Sequence, residues 1–71
     1  MEIKVHGQYQ HYKGGKYEVV GLGKDSETLV DVVIYCPLYE SNVSLWVRPK
    51  EEFVSSVVVD GKEQPRFLLI A

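Results

Sequence analysis

Turn signals break this chain at intervals too short for anything but strands. Gly14-Gly15, Gly23-Lys24-Asp25-Ser26, Pro37, Ser41-Asn42, Pro49 and Asp60-Gly61 succeed one another along 71 residues. The segments between them are rich in β-branched and aromatic residues, which suit a pleated, half-buried surface. Short strands between recurring turns point to a small β-barrel or sandwich. No window holds a helix of ordinary length. Ser26 could cap one over residues 26–33, but Val30, Val32, Val33 and Ile34 are stiff at χ1 and favour a strand.

The pattern predicts a first strand over Gln8–Tyr12 and a second over Tyr17–Leu22, closed by Gly21 and Gly23. A third spans Thr28–Cys36, with Val30, Val32 and Ile34 on one face and Leu29, Asp31, Val33 and Tyr35 on the other. A fourth, Ser44–Arg48, stops at Pro49. Pro49–Phe53 reads as one helical turn with proline at its first position. Val54–Val59 follows, then a strong hairpin turn at Asp60-Gly61. The return strand is broken by Pro65, and Phe67–Ile70 makes a last edge strand. The expected fold is all-β: a small half-open barrel of the Src homology 3-like type, with five to six short strands and one helical turn near Pro49–Phe53. An oligonucleotide-binding-type barrel fits less well, because it asks for more residues and a longer helix.

A chain of this length makes one domain, residues 1–71, and buries only roughly 60% of its unfolded surface. Cys36 is the single cysteine, so no internal disulfide can form. With His6 and His11 it is too little for a closed zinc site of nitrogen and sulfur ligands. No metal and no cofactor are expected, and stability has to come from packing or self-association. The longest apolar run, Val32–Cys36, is too short to cross a bilayer. No apolar segment follows a basic start, and a lone cysteine suits a reducing compartment, so the expected location is the cytosol.

The net charge of −2 argues against indiscriminate nucleic-acid binding. Its distribution is uneven. Residues 1–24 carry four lysines against two glutamates, whereas residues 25–48 carry four acids against Arg48 alone. A locally basic hairpin at Lys13 and Lys16 could meet an anion, although lysines commonly do no more than solvate a turn.

Three groupings could carry chemistry. His11 and Lys13 share a strand face with Tyr9, opposite Gln8, Gln10 and Tyr12. An imidazole and an ammonium there could flank an anionic or base-like ligand, or simply form a polar rim. Ser26, Glu27 and Thr28 could hold a ligand's hydroxyl or amine, or cap their own turn. Trp46 and Arg48 share a face with Ser44, where an indole beside a guanidinium can sandwich a planar ring. That arrangement sends Leu45 and Val47 to the core, while Trp46 itself could line a groove or be core. Glu18, Tyr35, Tyr39 and Arg66 could complete such a groove, though Arg66 is more simply read as paired with a carboxylate near the C-terminus. Cys36 reads as a buried, inert thiol. There is no phosphate loop, dinucleotide fingerprint, metal-ligand spacing or nucleophile elbow.

Several blocks, in order, resemble a known family. They are His11-Tyr12-Lys13-Gly14, Tyr17-Glu18-Val19, Ser26-Glu27-Thr28, Val33-Ile34-Tyr35, Leu38-Tyr39, Leu45-Trp46-Val47-Arg48-Pro49, Phe53 and Pro65-Arg66-Phe67. The family comprises short prokaryotic and phage proteins catalogued as domain of unknown function 1653, and the resemblance runs roughly over residues 7–69. It implies a self-sufficient accessory module and carries no established activity. The family usually has His-Ser-Glu-Thr in the second turn, where this chain has Asp25-Ser26-Glu27-Thr28. Any role that a histidine plays there is altered or lost in this chain.

These readings converge on a recognition module for a planar or anionic ligand, either a nucleotide-like group or a peptide. Its expected site comprises His11, Lys13, Ser26, Glu27, Thr28, Tyr35, Trp46 and Arg48. Two other roles stay open. One is a nucleotide- or nucleic-acid-linked enzyme or accessory, with Glu27 and His11 as acid–base groups. The other is an assembly domain that buries its exposed aromatics against a copy of itself or a partner.

Overall fold

Chain reversals follow Lys13, Lys24 and Val59, close to the turn signals, in the computed structural model, which describes residues 3–71. The elements are β1 (Gln8–His11), β2 (Lys16–Lys24), β3 (Asp31–Pro37), β4 (Trp46–Pro49), α1 (Lys50–Phe53), β5 (Ser56–Val59), β6 (Lys62–Pro65) and β7 (Phe67–Leu69). Five strands form one antiparallel sheet in the order β4-β3-β2-β1-β7, and β5 and β6 form a separate hairpin. The fold is all-β apart from one helical turn. Its outer strands β4 and β7 do not pair with each other, so the described residues form two sheets and no closed barrel.

The strand count is seven rather than five or six, because Pro65 does not break its strand. It ends β6, opposite Ser56, on an exposed hairpin where a missing N–H costs little. Asp60 and Gly61 both have positive φ, 51° and 76°, as the tight turn of that hairpin requires. Strand β2 also runs through Gly21 and Gly23 to Lys24. A bulge at Val20 shifts its register from Val19↔Tyr35 to Gly21↔Ile34.

Strand β3 starts later than its β-branched run suggests. Asp25 Oδ1 accepts the N–H groups of Glu27 and Thr28, and its carbonyl accepts Leu29 N–H, which closes a turn over these residues. Leu29 leaves the turn at φ 63°, with its side chain exposed, so it shares no face with Val33. Pro49 precedes α1 rather than opening it.

The core is aromatic. Tyr9, Val19, Val33, Tyr35, Phe53 and Phe67 make one buried cluster. The rings of Phe53 and Phe67 stack at 4.1 Å and 8°, and Tyr9, Tyr17 and Tyr35 meet them edge to face. Such pairs add stabilisation beyond the area they bury. Helix α1 exists to deliver Phe53: its four residues bury only that side chain. Leu45 and Val47 are exposed at 54% and 61%, so the expectation that they enter the core is wrong. Their neighbours on β4, Trp46 and Arg48, face the aromatic layer instead, with Arg48 over the Phe67 ring. No helix among the described residues is long and apolar enough to cross a membrane.

Candidate functional site

The β1–β2 turn and the edge strand β4 flank the aromatic layer at one end of the large sheet. Between them lies a groove of about 330 Å³. His11 and Lys13 line it from the first side, Trp46 and Arg48 from the other, and Tyr35 forms part of its floor. These five sequence-predicted residues therefore come together. Tyr39 joins them, as expected. Tyr17 and Phe67 are additions that the sequence reading left out. Tyr17 lies two residues before the buried Val19 on the same strand, so its parity could have placed it on this face.

The polar groups of the groove are held by one another. Tyr17 and Tyr39 share a hydrogen bond between their phenol oxygens at 2.9 Å. Burial, then this bond, pushes the Tyr17 pKa up to about 12. Arg48 donates from Nε to Tyr35 Oη at 3.3 Å and from Nη1 to Glu52 Oε1 at 3.0 Å, and its guanidinium lies 5.7 Å from the centre of the Phe67 ring. Three of its five N–H donors remain for another acceptor. The hydrogen bond to Tyr35 is the chief cause that holds its charge more firmly than usual.

The backbone orients the His11 ring. Its Nδ1 accepts the backbone N–H of Lys13 at 3.2 Å, which leaves the ring proton on Nε2. Burial lowers its pKa, and the cations Arg48, Arg66 and Lys13 add to that. Tyr12 packs against it at 4.5 Å, and Phe67 meets it edge-on at 4.9 Å.

Among the described residues the groove's lining is aromatic and carries Lys13 and Arg48 but no carboxylate, with Glu52 pairing Arg48 from outside the lining. An aromatic cage for an ammonium group would not carry two cations on its wall. The chemistry suits a planar group with negative charge. A larger depression of about 380 Å³ is lined by Asp31, Lys50 and Glu51 and offers mixed charge without an aromatic ring.

Ser26, Glu27 and Thr28 do not join the groove. They sit in the β2–β3 turn beyond Asp31, which is four residues, or roughly 13 Å of strand, from Tyr35. Thr28 Oγ1 accepts Val30 N–H, and the turn is held by Asp25, whose carboxyl pKa is lowered chiefly by the backbone N–H of Thr28. Asp25 is therefore a capping residue. Glu18 lies 3.7 Å from His6 and does not line the groove. Arg66 has no carboxylate partner among the described residues and instead donates from Nε to Ser55 Oγ at 3.1 Å. Cys36 is half-buried rather than buried. Among the described residues no three metal-ligating side chains cluster.

The family described as protein of unknown function (DUF1653) matches residues 7–69. The crystal structure of a protein belonging to that family, from Bordetella bronchiseptica, superposes with a TM-score of 0.88 at 31% identity. The match covers 97% of this chain and 88% of that one. A comparison with curated proteins finds no match. This chain belongs to the DUF1653 family.

Proposed function

We propose that this domain is a small recognition module that takes a planar, negatively charged group of the nucleotide kind in the aromatic groove. One observation carries the reading: Trp46, 41% exposed, stands beside Arg48 and across from Lys13 over a floor of tyrosines. A base stacks on the indole, and a phosphate takes the free guanidinium donors and the Lys13 ammonium. Neutral His11 offers its Nε2–H as a further donor without adding charge. Stacking on an aromatic side chain contributes about 1–3 kcal/mol per base. An acid–base pair of His11 and Glu27 is not supported, since the two stand at opposite ends of β2. The lone Cys36 supports a reducing compartment such as the cytosol.

Thermal melting with nucleotides, nucleosides, inorganic phosphate and a proline-rich peptide tests the proposal. A mononucleotide is expected to raise the midpoint by several degrees, a nucleoside by less, and Trp46→Ala and Arg48→Ala each to abolish the shift. A shift with the peptide alone overturns the nucleotide assignment. No shift with any probe, together with a mass above that of one chain by light scattering, replaces it with an assembly role.

A further inference from the structure

Strands β5 and β6 pair only with each other, and a lone two-stranded hairpin is marginal in water. Its hydrogen bonds decide which backbone groups face out. The two-residue turn at Asp60-Gly61 makes Val59 and Lys62 the bonded pair that closes it. Bonded and non-bonded pairs alternate, so Val57 and Gln64 bond as well. The donation from Arg66 N–H to the Ser55 carbonyl at 3.0 Å continues the same series. Ser56 and Val58 on β5, and Glu63 and Pro65 on β6, therefore turn their backbone groups away from the hairpin.

The two free edges are not alike. Strand β6 is guarded: Pro65 has no N–H to offer, and Lys62 and Glu63 put charges along it. Strand β5 reads Ser56-Val57-Val58-Val59, with no charge and no proline, and Val58 is 70% exposed. An unguarded edge of β-branched residues is a template for another strand. Its own copy fits. A two-fold axis at Val58 sets Val58 against Val58, Val57 against Val59 and Ser56 against Asp60 of the second copy, and opposes no like charges. The same axis brings the tip of each hairpin to the base of the other. Asp60 stands at the tip and Arg66 at the base, and neither has an ion-pair partner among the described residues. The charges at the two ends are therefore complementary.

We propose that β5 pairs antiparallel with β5 of a second copy about Val58, so that the two hairpins merge into one four-stranded sheet. The backbone groups of Ser56 and Val58 supply the new hydrogen bonds. Strands of four residues bury less than the roughly 800 Å² per partner of a stable complex, so the dimer is reversible and forms with concentration. No residue of β5 or β6 lines the aromatic groove, and the pairing leaves that lining untouched in both copies.

Sedimentation of the whole chain from micromolar to millimolar concentration, without ligand, tests it. The average mass should climb from that of one chain towards that of two. The Ser56 and Val58 amides should slow in hydrogen exchange over the same range. Val58→Lys should hold the mass at one chain throughout. Val58→Pro removes the outward N–H and should do the same, whereas Glu63→Pro, its counterpart on the guarded edge, should leave the dimer intact. A wild-type chain that stays monomeric at millimolar concentration overturns the pairing. So does a dimer that survives both Val58 substitutions, or one whose Ser56 and Val58 amides stay unprotected. The exchange measurement needs only the wild-type chain, so a variant that misfolds does not blunt the test. Nucleotide binding is read separately, and its failure would leave this result standing.

Discussion

Arg48 Nε donates to the phenol oxygen of Tyr35 at 3.3 Å and so ties the outermost strand of the large sheet to a ring packed in its core. With Glu52 holding Nη1, the guanidinium is aimed before any ligand arrives, which lowers the ordering cost of binding. Tyr35→Phe removes one hydrogen bond and keeps the ring contacts with Phe53 and Phe67. It should cost about 1 kcal/mol in stability. Nucleotide affinity should fall roughly two- to tenfold as Arg48 gains freedom. Urea unfolding and calorimetry read the two effects separately; unchanged affinity would show that the aim of Arg48 is irrelevant.

Phe53 is the one buried residue of a four-residue helix, stacked on Phe67. Phe53→Ala should cost about 3–5 kcal/mol. A domain of this length has only about 4–11 kcal/mol in total. The substitution should therefore remove a substantial share of the folding free energy, visible as a strongly lowered urea midpoint. Phe53→Leu fills most of the space and should stay folded with a lowered midpoint. A fully stable Phe53→Ala variant would mean that the helical turn is dispensable.

His11 and Tyr17 predict opposite pH limbs. The folded-state pKa of His11 lies below 6.5, so the unfolded chain binds that proton more readily. Its share of stability is full above pH 6.5 and is lost as pH falls through the folded value. His11→Gln should flatten that part of the urea-midpoint profile. The Tyr17 pKa is raised to about 12, so its share is full below pH 10 and is lost as pH rises through about 12. Tyr39→Phe should bring the Tyr17 phenolate transition down towards 10.0 in an ultraviolet titration. A wild-type Tyr17 that ionises at 10 would refute the Tyr17–Tyr39 bond.

Leu29 holds φ 63° with two-thirds of its surface exposed. A left-handed backbone costs a branched residue roughly 1–2 kcal/mol, a cost asparagine largely escapes. Leu29→Asn should therefore raise the melting midpoint by several degrees and leave ligand affinity unchanged, because this turn lies far along the sheet from the groove. A lowered midpoint would mean that the Leu29 side chain contributes packing that outweighs the strain.

Much of the fold was legible because turn chemistry is local. Gly14-Gly15, Asp60-Gly61 and Pro49 announced their turns, and the order of elements followed. Parity along β1 and β4 brought His11, Lys13, Trp46 and Arg48 towards one site. Tertiary facts stayed hidden. A bulge at Val20 resets the alternation of β2, and no residue pattern in Glu18–Leu22 reveals it. Leu45 and Val47 look like core by composition, but Trp46 and Arg48 face the aromatic layer and leave Leu45 and Val47 exposed. Ser26, Glu27 and Thr28 join the expected site by residue type alone, which does not say where a turn lies; the turn that Asp25 closes sits beyond Asp31, away from the groove.

Amide chemical-shift mapping during titration with thymidine monophosphate tests the central claim most directly. The Trp46 indole N–H and the Lys13, Gly15 and Arg48 amides should move, with Ser26, Glu27 and Thr28 still. Saturable shifts confined to the β2–β3 turn, or no shift at the groove at millimolar nucleotide, would contradict it.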